Sequence, residues 1–331
     1  MRVLVVKMSS LGDIIHTLPA LSDAAKAIPG IRFDWVVEEN FAEIPAWHPA
    51  VDKVIPIALR RWRKHPLRNF RGPEWRACKA ALRSNHYDAV IDAQGLMKSA
   101  FVARLVKAPV YGLDKHSARE RMASSAYQHK IAIRRDLHAV ERTRQLFAAA
   151  LHYKPVEGRG DYGVRANLEN GKTRRSQGLL FFHGTARAEK LWPEEHWVAL
   201  AGLAGEAGFP VALPWGSDEE KRRAGTIASK ADNATVLPEL NLVGLASLLL
   251  EADGAVAVDT GLGHLAAALD VPTVSLYGPT STKLIGAYGE NQVHIQSDLG
   301  VEQTDDPVAM MAAITPQQVW QSLSGILPGE N

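Results

Sequence analysis

The chain has 331 residues, 46% of them hydrophobic, and a net charge of +2; that length calls for two domains rather than one core. No apolar run reaches the roughly 18–20 residues a membrane-spanning helix needs. The single cysteine, Cys78, excludes an internal disulfide and fits a reducing compartment. With no stretch of signal-peptide character at the start, a cytoplasmic location is expected. The small net charge hides an asymmetry: residues 1–150 hold 25 Lys and Arg against 14 Asp and Glu, whereas residues 151–331 hold 13 against 22. A basic half of this kind is expected to meet something anionic.

Taken in chain order, short apolar runs alternate with segments of helical spacing. Residues 3–7 predict a buried strand and 13–28 a helix. Strands follow over 31–37 and 53–57, a helix over 73–85 and a strand over 89–92. Residues 98–105 and 138–152 predict helices. The rhythm fades between 153 and 177, where Lys, Pro, Gly, Arg and Asn accumulate. It restarts with strands over 178–183, 211–214, 234–237, 254–259 and 273–276, interleaved with helices over 193–207, 219–230, 242–252 and 263–269. Alternation of this kind implies βαβ units on parallel sheets. The expected division is a first domain over 1–160, a linker over 161–177, a second domain over 178–315 and a terminal helix and tail over 316–331 that can return to the first domain. Ligands of doubly wound sheets bind beyond the carboxyl ends of the strands, so a site in the cleft between the two domains is expected.

Four places carry groups with chemistry. The first strand runs into Lys7-Met8-Ser9-Ser10-Leu11-Gly12-Asp13, which matches neither a dinucleotide fingerprint nor a P-loop. Asp13 at a helix start is either a cap or a general base able to take a proton from a poor nucleophile such as a sugar hydroxyl. Asp259-Thr260-Gly261-Leu262-Gly263-His264 follows a strand and opens a helix, where N–H groups, a hydroxyl and an imidazole converge as an anion site. Thr185 and Lys190, after the first strand of the second half, suit a diphosphate, with Lys190 opposing charge on a leaving phosphate. Beyond 213–216, Glu219 and Glu220 offer carboxylates for ribose hydroxyls, or simply an acidic first turn. No metal-ligand spacing is present. The stretch 60–71 holds six positive charges, Trp62 and Phe70, with no acid between Asp52 and Glu74. It reads either as a solvated loop or as a docking loop for phosphorylated lipid with Trp62 and Phe70 as interfacial anchors.

Together these segments resemble the bacterial ADP-heptose transferases of lipopolysaccharide inner-core synthesis. The resemblance rests on VLVVKMSSLGDIIHTLP (3–19), FDWVVEE (33–39), YDAVIDAQGLMK (87–98), KLWPEEHW (190–197), LPWG (213–216), VDTGLGHLAAA (258–268) and YGPT (277–280). It runs from Met1 to about Gly289, and the order and spacing of the segments make it specific. The resemblance implies an α/β fold of GT-B type: two doubly wound Rossmann-like domains facing each other across a cleft, acceptor on the first and donor on the second. It implies inverting transfer of L-glycero-D-manno-heptose from ADP-heptose to a Kdo residue of Kdo–lipid A, with no cofactor and no metal in the chemical step, by an enzyme peripheral to the cytoplasmic face of the inner membrane. Asp13 then matches the general base. Thr185, Lys190, Asp259, Thr260, Gly261 and His264 match donor-binding positions, Lys190 also opposing the leaving charge. Glu220 matches a ribose-contacting carboxylate, with a one-residue ambiguity against Glu219, and Leu240 an apolar contact for adenine. Arg60, Arg61, Arg63, Lys64 and Arg119 fall in the acceptor-side basic region. Where similar enzymes often carry two threonines, this chain has Thr185-Ala186, so one hydroxyl donor is missing.

Three other readings share these residues. Transfer of a second heptose to the core uses the same donor. A nucleotide-sugar epimerase needs no acceptor, and the basic stretch argues against it. A sensor of ADP-heptose with a protein partner would leave Asp13 dispensable. Fold alone does not separate them.

Overall fold

The computed structural model describes the chain except for residues 66–68, 70–71, 170–176, 300–303, 305 and 329–331. It divides into two units, Met1–Asn167 and Leu168–Asn331, each built on one six-stranded parallel sheet. The first sheet contains β1 (Arg2–Val6), β2 (Arg32–Glu38), β3 (Val51–Ile57), β4 (Ala89–Asp92), β5 (Val110–Leu113) and β6 (His129–Ile131) in the order 3-2-1-4-5-6. The second contains β7 (Leu179–Phe182), β8 (Val211–Leu213), β9 (Ala234–Val236), β10 (Gly254–Val258), β11 (Thr273–Tyr277) and β12 (Gln292–Gln296), and its order 12-11-10-7-8-9 repeats that arrangement. Strand order therefore reverses between β1 and β4 and again between β7 and β10. Loops at the carboxyl ends of those strands splay apart and leave room for a ligand.

The principal helices of the first unit are α1 (Leu11–Ile15), α2 (Leu18–Ala27), α3 (Pro73–Leu82), α4 (Met97–Ala103) and α5 (Ala139–Leu151). Those of the second are α6 (Glu194–Glu206), α7 (Asp218–Ala228), α8 (Leu242–Glu251), α9 (Gly261–Ala268) and α10 (Pro316–Ser324). The single helix expected over 13–28 is two, α1 and α2. Pro19 has no N–H to give and so occupies the first turn of a new helix rather than the middle of an old one. Strands β5, β6 and β12 escape the sequence pattern; β6 and β12 are edge strands without a continuous apolar run. The division at 167/168 falls within the expected linker. Helix α10 packs on α6 and on the second sheet, with Val319 and Leu323 fully buried in that unit's core. The terminal helix is thus part of the second unit, its apolar face packed there.

Two aromatic-rich cores stabilise the sheets. Trp62 and Trp75 are buried in the first unit, ring edge to face at 5.6 Å, and Trp192 and Trp197 in the second, at 5.0 Å. Between the ends of α2 and β3, His48 is 2% exposed. Its Nδ1 accepts the Ala50 N–H at 3.1 Å, so the ring proton sits on Nε2, which donates to Ser22 Oγ at 3.0 Å. Burial, against the pull of Asp161 and with the help of Arg32, lowers its pKa to about 4. The unfolded imidazole takes up its proton first, near 6.5. The contribution of neutral His48 is therefore complete above about pH 6.5 and is lost as pH falls toward about 4, at most roughly 3 kcal/mol. Melting temperatures recorded across this window should fall on acidification, and His48→Gln should flatten the fall. An unchanged slope in the variant would remove His48 as its source.

Candidate active site

In the first unit β1 delivers Lys7 and β4 delivers Gln94 to the point where strand order reverses. The Gln94 amide holds the β1 loop: its Oε1 accepts the Met8 N–H at 2.8 Å and its Nε2 donates to Ser9 O at 3.1 Å. Ser10 caps α1, and Asp13 answers as the third residue of a capping box, its Oδ2 accepting from the Ser10 N–H at 3.0 Å and the Ser10 hydroxyl at 2.9 Å. Lys7 Nζ stands 3.4 Å from the other carboxylate oxygen and donates to Ala93 O at 3.0 Å. Asp13 is thus both cap and reachable carboxylate, with 35% of its side chain exposed. Burial acts to raise its pKa, but the Lys7 ammonium, the Ser10 N–H and His16 outweigh it and hold the carboxyl well below the usual carboxylate range. The group is ionised at any physiological pH.

Beside it lies a second set of charges that the sequence reading passed over. Lys98 on α4 donates to Ser9 Oγ at 3.3 Å. Its pKa is pushed down by burial, with Glu38 and Glu120 pulling the other way and Arg60 and Arg63 adding to the fall. Glu38, 4% exposed at the end of β2, is pushed up by burial in spite of the Arg60 N–H and Arg60 charge. Charged residues at the carboxyl ends of predicted strands were the available signal: Lys7 directly follows β1 and Glu38 ends β2.

The acceptor-side residues separate. Arg61 is committed within its own unit, to Glu39 at 3.1 Å and Glu74 at 2.9 Å. Arg60 gives its N–H to Glu38 at 3.2 Å and its guanidinium lies over Phe41. Arg60, Arg61 and Lys64 line a small cavity of about 220 Å³ with Glu38 and Glu39, while Arg63 and Arg119 are exposed. Trp62 corrects the docking-loop expectation: it is 3% exposed, its indole N–H bound to Glu74 at 2.8 Å, so it belongs to the core and meets no bilayer. Arg68, Phe70 and Arg71 lie outside the described residues.

In the second unit β7 and β10 bring Thr185, Lys190 and Asp259 together. Lys190 Nζ sits 2.5 Å from Asp259 Oδ2, with side chains 14% and 8% exposed, and Thr185 Oγ1 donates to the Asp259 carbonyl at 3.2 Å. Asp259 therefore ties the β7 loop to the β10 loop through both its side chain and its backbone. Thr260 is the N-cap of α9 and makes no capping bond with its side chain. Gly261 opens the helix, and His264, 6% exposed, lies in its first turn. Gly263 has a packing role: a Cβ there would come within 3.1 Å of Ala257 Cβ on the strand beneath, so its absence lets α9 rest on the sheet.

Glu220 and Glu219 differ as the geometry requires. Ser217 caps α7 by accepting the Glu220 N–H, and Glu220 Oε2 accepts the Gly216 N–H at 2.7 Å. Its carboxylate also covers Gly184, where an added Cβ would lie 2.4 Å from Glu220 Oε1. Glu219, in the same turn, is exposed. Both line a cavity of about 820 Å³ with Thr185, Ala186, Glu194 and Arg223. Leu240 is half-buried before α8, its side chain against Gly244, and does not line that cavity. Among the described residues, no three His, Cys, Asp or Glu side chains form a cluster able to hold a metal ion.

Residues 75–310 match the model of glycosyltransferase family 9 (heptosyltransferase). The chain belongs to that family. It is 58% identical to lipopolysaccharide heptosyltransferase 1 of Pseudomonas aeruginosa over 299 residues, 90% of this chain and 84% of that one. Among solved structures it is similar to the E. coli heptosyltransferase WaaC with ADP, at a TM-score of 0.91 and 46% identity over 98% of this chain and 99% of that one. The same E. coli protein with ADP-2-deoxy-2-fluoro heptose gives a TM-score of 0.87 and 44% identity over 98% and 99%. The enzyme is a heptose-transferring glycosyltransferase with a GT-B fold, as the sequence motifs imply.

Proposed function

We propose that the enzyme transfers heptose from ADP-heptose to a Kdo sugar of Kdo–lipid A, with inversion at the anomeric carbon and without a metal in the chemical step. The observation that carries this reading is the pairing of Lys190 with Asp259 where strand order reverses in the second sheet, braced by Thr185. A half-buried lysine held beside the start of α9 would offer a fixed positive charge, with the helix N–H groups, to the same diphosphate. Glu220, turned onto the β7 and β8 loops, would offer its carboxylate to ribose hydroxyls, and Ala186 brings no hydroxyl to the cavity. Leu240 would supply an apolar surface to the base.

The first unit would supply the base and the acceptor contacts. A carboxylate held as strongly ionised as Asp13 is a weak base toward a neutral alcohol. It serves when the proton leaves late, after an oxocarbenium-like centre has formed and the attacking hydroxyl has become acidic. Arg60, Arg63, Lys64 and Arg119 would meet the anionic acceptor at the cytoplasmic face of the inner membrane. The test is a transfer assay with Kdo–lipid A, a panel of nucleotide sugars and an added chelator. ADP-heptose should be the one good donor, and turnover should survive chelation. Consumption of donor without acceptor would point to epimerisation instead, and loss of turnover on chelation would restore a metal to the step.

A further inference from the structure

Large apolar side chains are sparsely exposed in the first unit, and their placement is uneven. Among its described residues the exposed ones are the terminal Met1 and three others: Met97 at 45%, Phe101 at 51% and Met122 at 72%. Those three share one surface. Met97 and Phe101 stand one turn apart on α4, and Arg104 continues the same face. Met122 lies on the short 3₁₀ helix Arg121–Ala126, which packs against α4. The two elements are also joined by a hydrogen bond, the Met97 N–H to Glu120 Oε2 at 2.6 Å. Phe101 lies flat against the ring of Trp75, centroids 6.1 Å apart, so it is supported from below and held outward.

The border of this surface is basic. Arg76, Arg104, Arg119 and Arg121 are exposed, and Lys79 stands 5.6 Å from the Trp75 ring. The neighbouring acids are engaged: Glu120 receives the Met97 N–H, and Glu74 is held by Arg61 and Trp62. Apolar side chains ringed by cations match an anionic bilayer, whose phosphates take the arginines while the headgroup layer accepts the apolar tips. The position suits a lipid-linked acceptor. β4 and β1 are adjacent and parallel, and Lys98 on α4 reaches the Ser9 hydroxyl, so the surface lies at the same sheet edge as Asp13.

We propose that Met97, Phe101 and Met122, with the arginines around them, form the surface by which this chain docks on an anionic lipid bilayer. The inference rests on the reading of the acceptor as a membrane lipid, and it replaces Trp62 by three side chains that are exposed. Docking is measured without any sugar chemistry, using the full chain and vesicles of phosphatidylcholine alone or mixed with phosphatidylglycerol. Wild type should sediment with the mixed vesicles and be released as salt rises. The variant Met97→Ser/Phe101→Ser/Met122→Ser should lose roughly tenfold or more in partition, while keeping its transfer rate on a water-soluble, deacylated acceptor. As a second readout, Met122→Cys carrying an environment-sensitive fluorophore should brighten and shift to the blue on mixed vesicles only. Cys78 is buried, its thiol pushed up to about 11, and stays unlabelled. Equal partition of wild type and the triple variant, or an unmoved emission, overturns the proposal. So does a dimer that the triple variant abolishes, which would assign the patch to a second copy. Failure of wild type to use the soluble acceptor counts against heptose transfer to Kdo and leaves the vesicle result standing.

Discussion

Asp13→Asn is expected to lower kcat by about 10²–10⁴ and to leave the dissociation constant of ADP unchanged. The amide keeps the size of the carboxylate and can still accept from the Ser10 N–H, so α1 remains capped; what it loses is the capacity to take a proton. Residual turnover should come from positioning alone. Because Lys7, Ser10 and His16 outweigh burial and hold the carboxyl low, the wild-type rate should stay flat through mild acid, and any acid limb should fall below the usual aspartate range. Calorimetric titration of ADP and a thermal melt accompany the kinetics. A variant with intact kcat, or one in which melting temperature and ADP affinity fall together with rate, would reduce Asp13 to a cap.

Lys190→Ala is expected to lower kcat by about 10²–10³ and to weaken ADP binding as well, which separates it from Asp13→Asn. Two effects combine. On the proposed mechanism the diphosphate loses a fixed cation where charge grows as the leaving group departs, and Asp259 is left 8% exposed with a carboxylate that would face the incoming phosphate. An uncompensated buried charge of this kind costs up to about 3–5 kcal/mol when fully enclosed, so the melting temperature should fall too. Asp259→Asn relieves the unpaired charge in the double variant. The pair Lys190→Ala and Asp259→Asn should therefore be less than additive in stability. Strict additivity, with ADP affinity untouched by either change, would mean that the two side chains act independently and away from the donor.

Much of this enzyme is legible in its amino-acid order. Strands β1, β4, β7 and β10 are short apolar runs bounded by helix starts, and a buried parallel strand needs nothing subtler. The candidate site residues stand in the loops and first helical turns that follow those strands: Asp13 beyond β1, Thr185 and Lys190 beyond β7, Asp259 just after β10. Chemistry at a sheet's carboxyl edge is written in sequence as a strand followed by a polar loop. The sequence also carries the basic bias of the first half and the hydroxyl missing at Ala186.

Other features depend on contacts between distant segments. The basic stretch reads either as a solvated loop or as a docking loop anchored by its tryptophan, yet Trp62 turns into the core, where Glu74, twelve positions on, takes its N–H. Arg61 spends its charge on Glu39 and Glu74, a pairing that no local spacing reveals. The exposed face shared by Met97, Phe101 and Met122 exists only once α4 and the 3₁₀ helix at 121–126 have packed together. Periodicity reports which way a side chain points relative to its own helix or strand. Whether that direction ends in solvent, in a core or beside an opposite charge is decided by segments tens of residues away, and for this chain the tertiary fold alone supplies that answer.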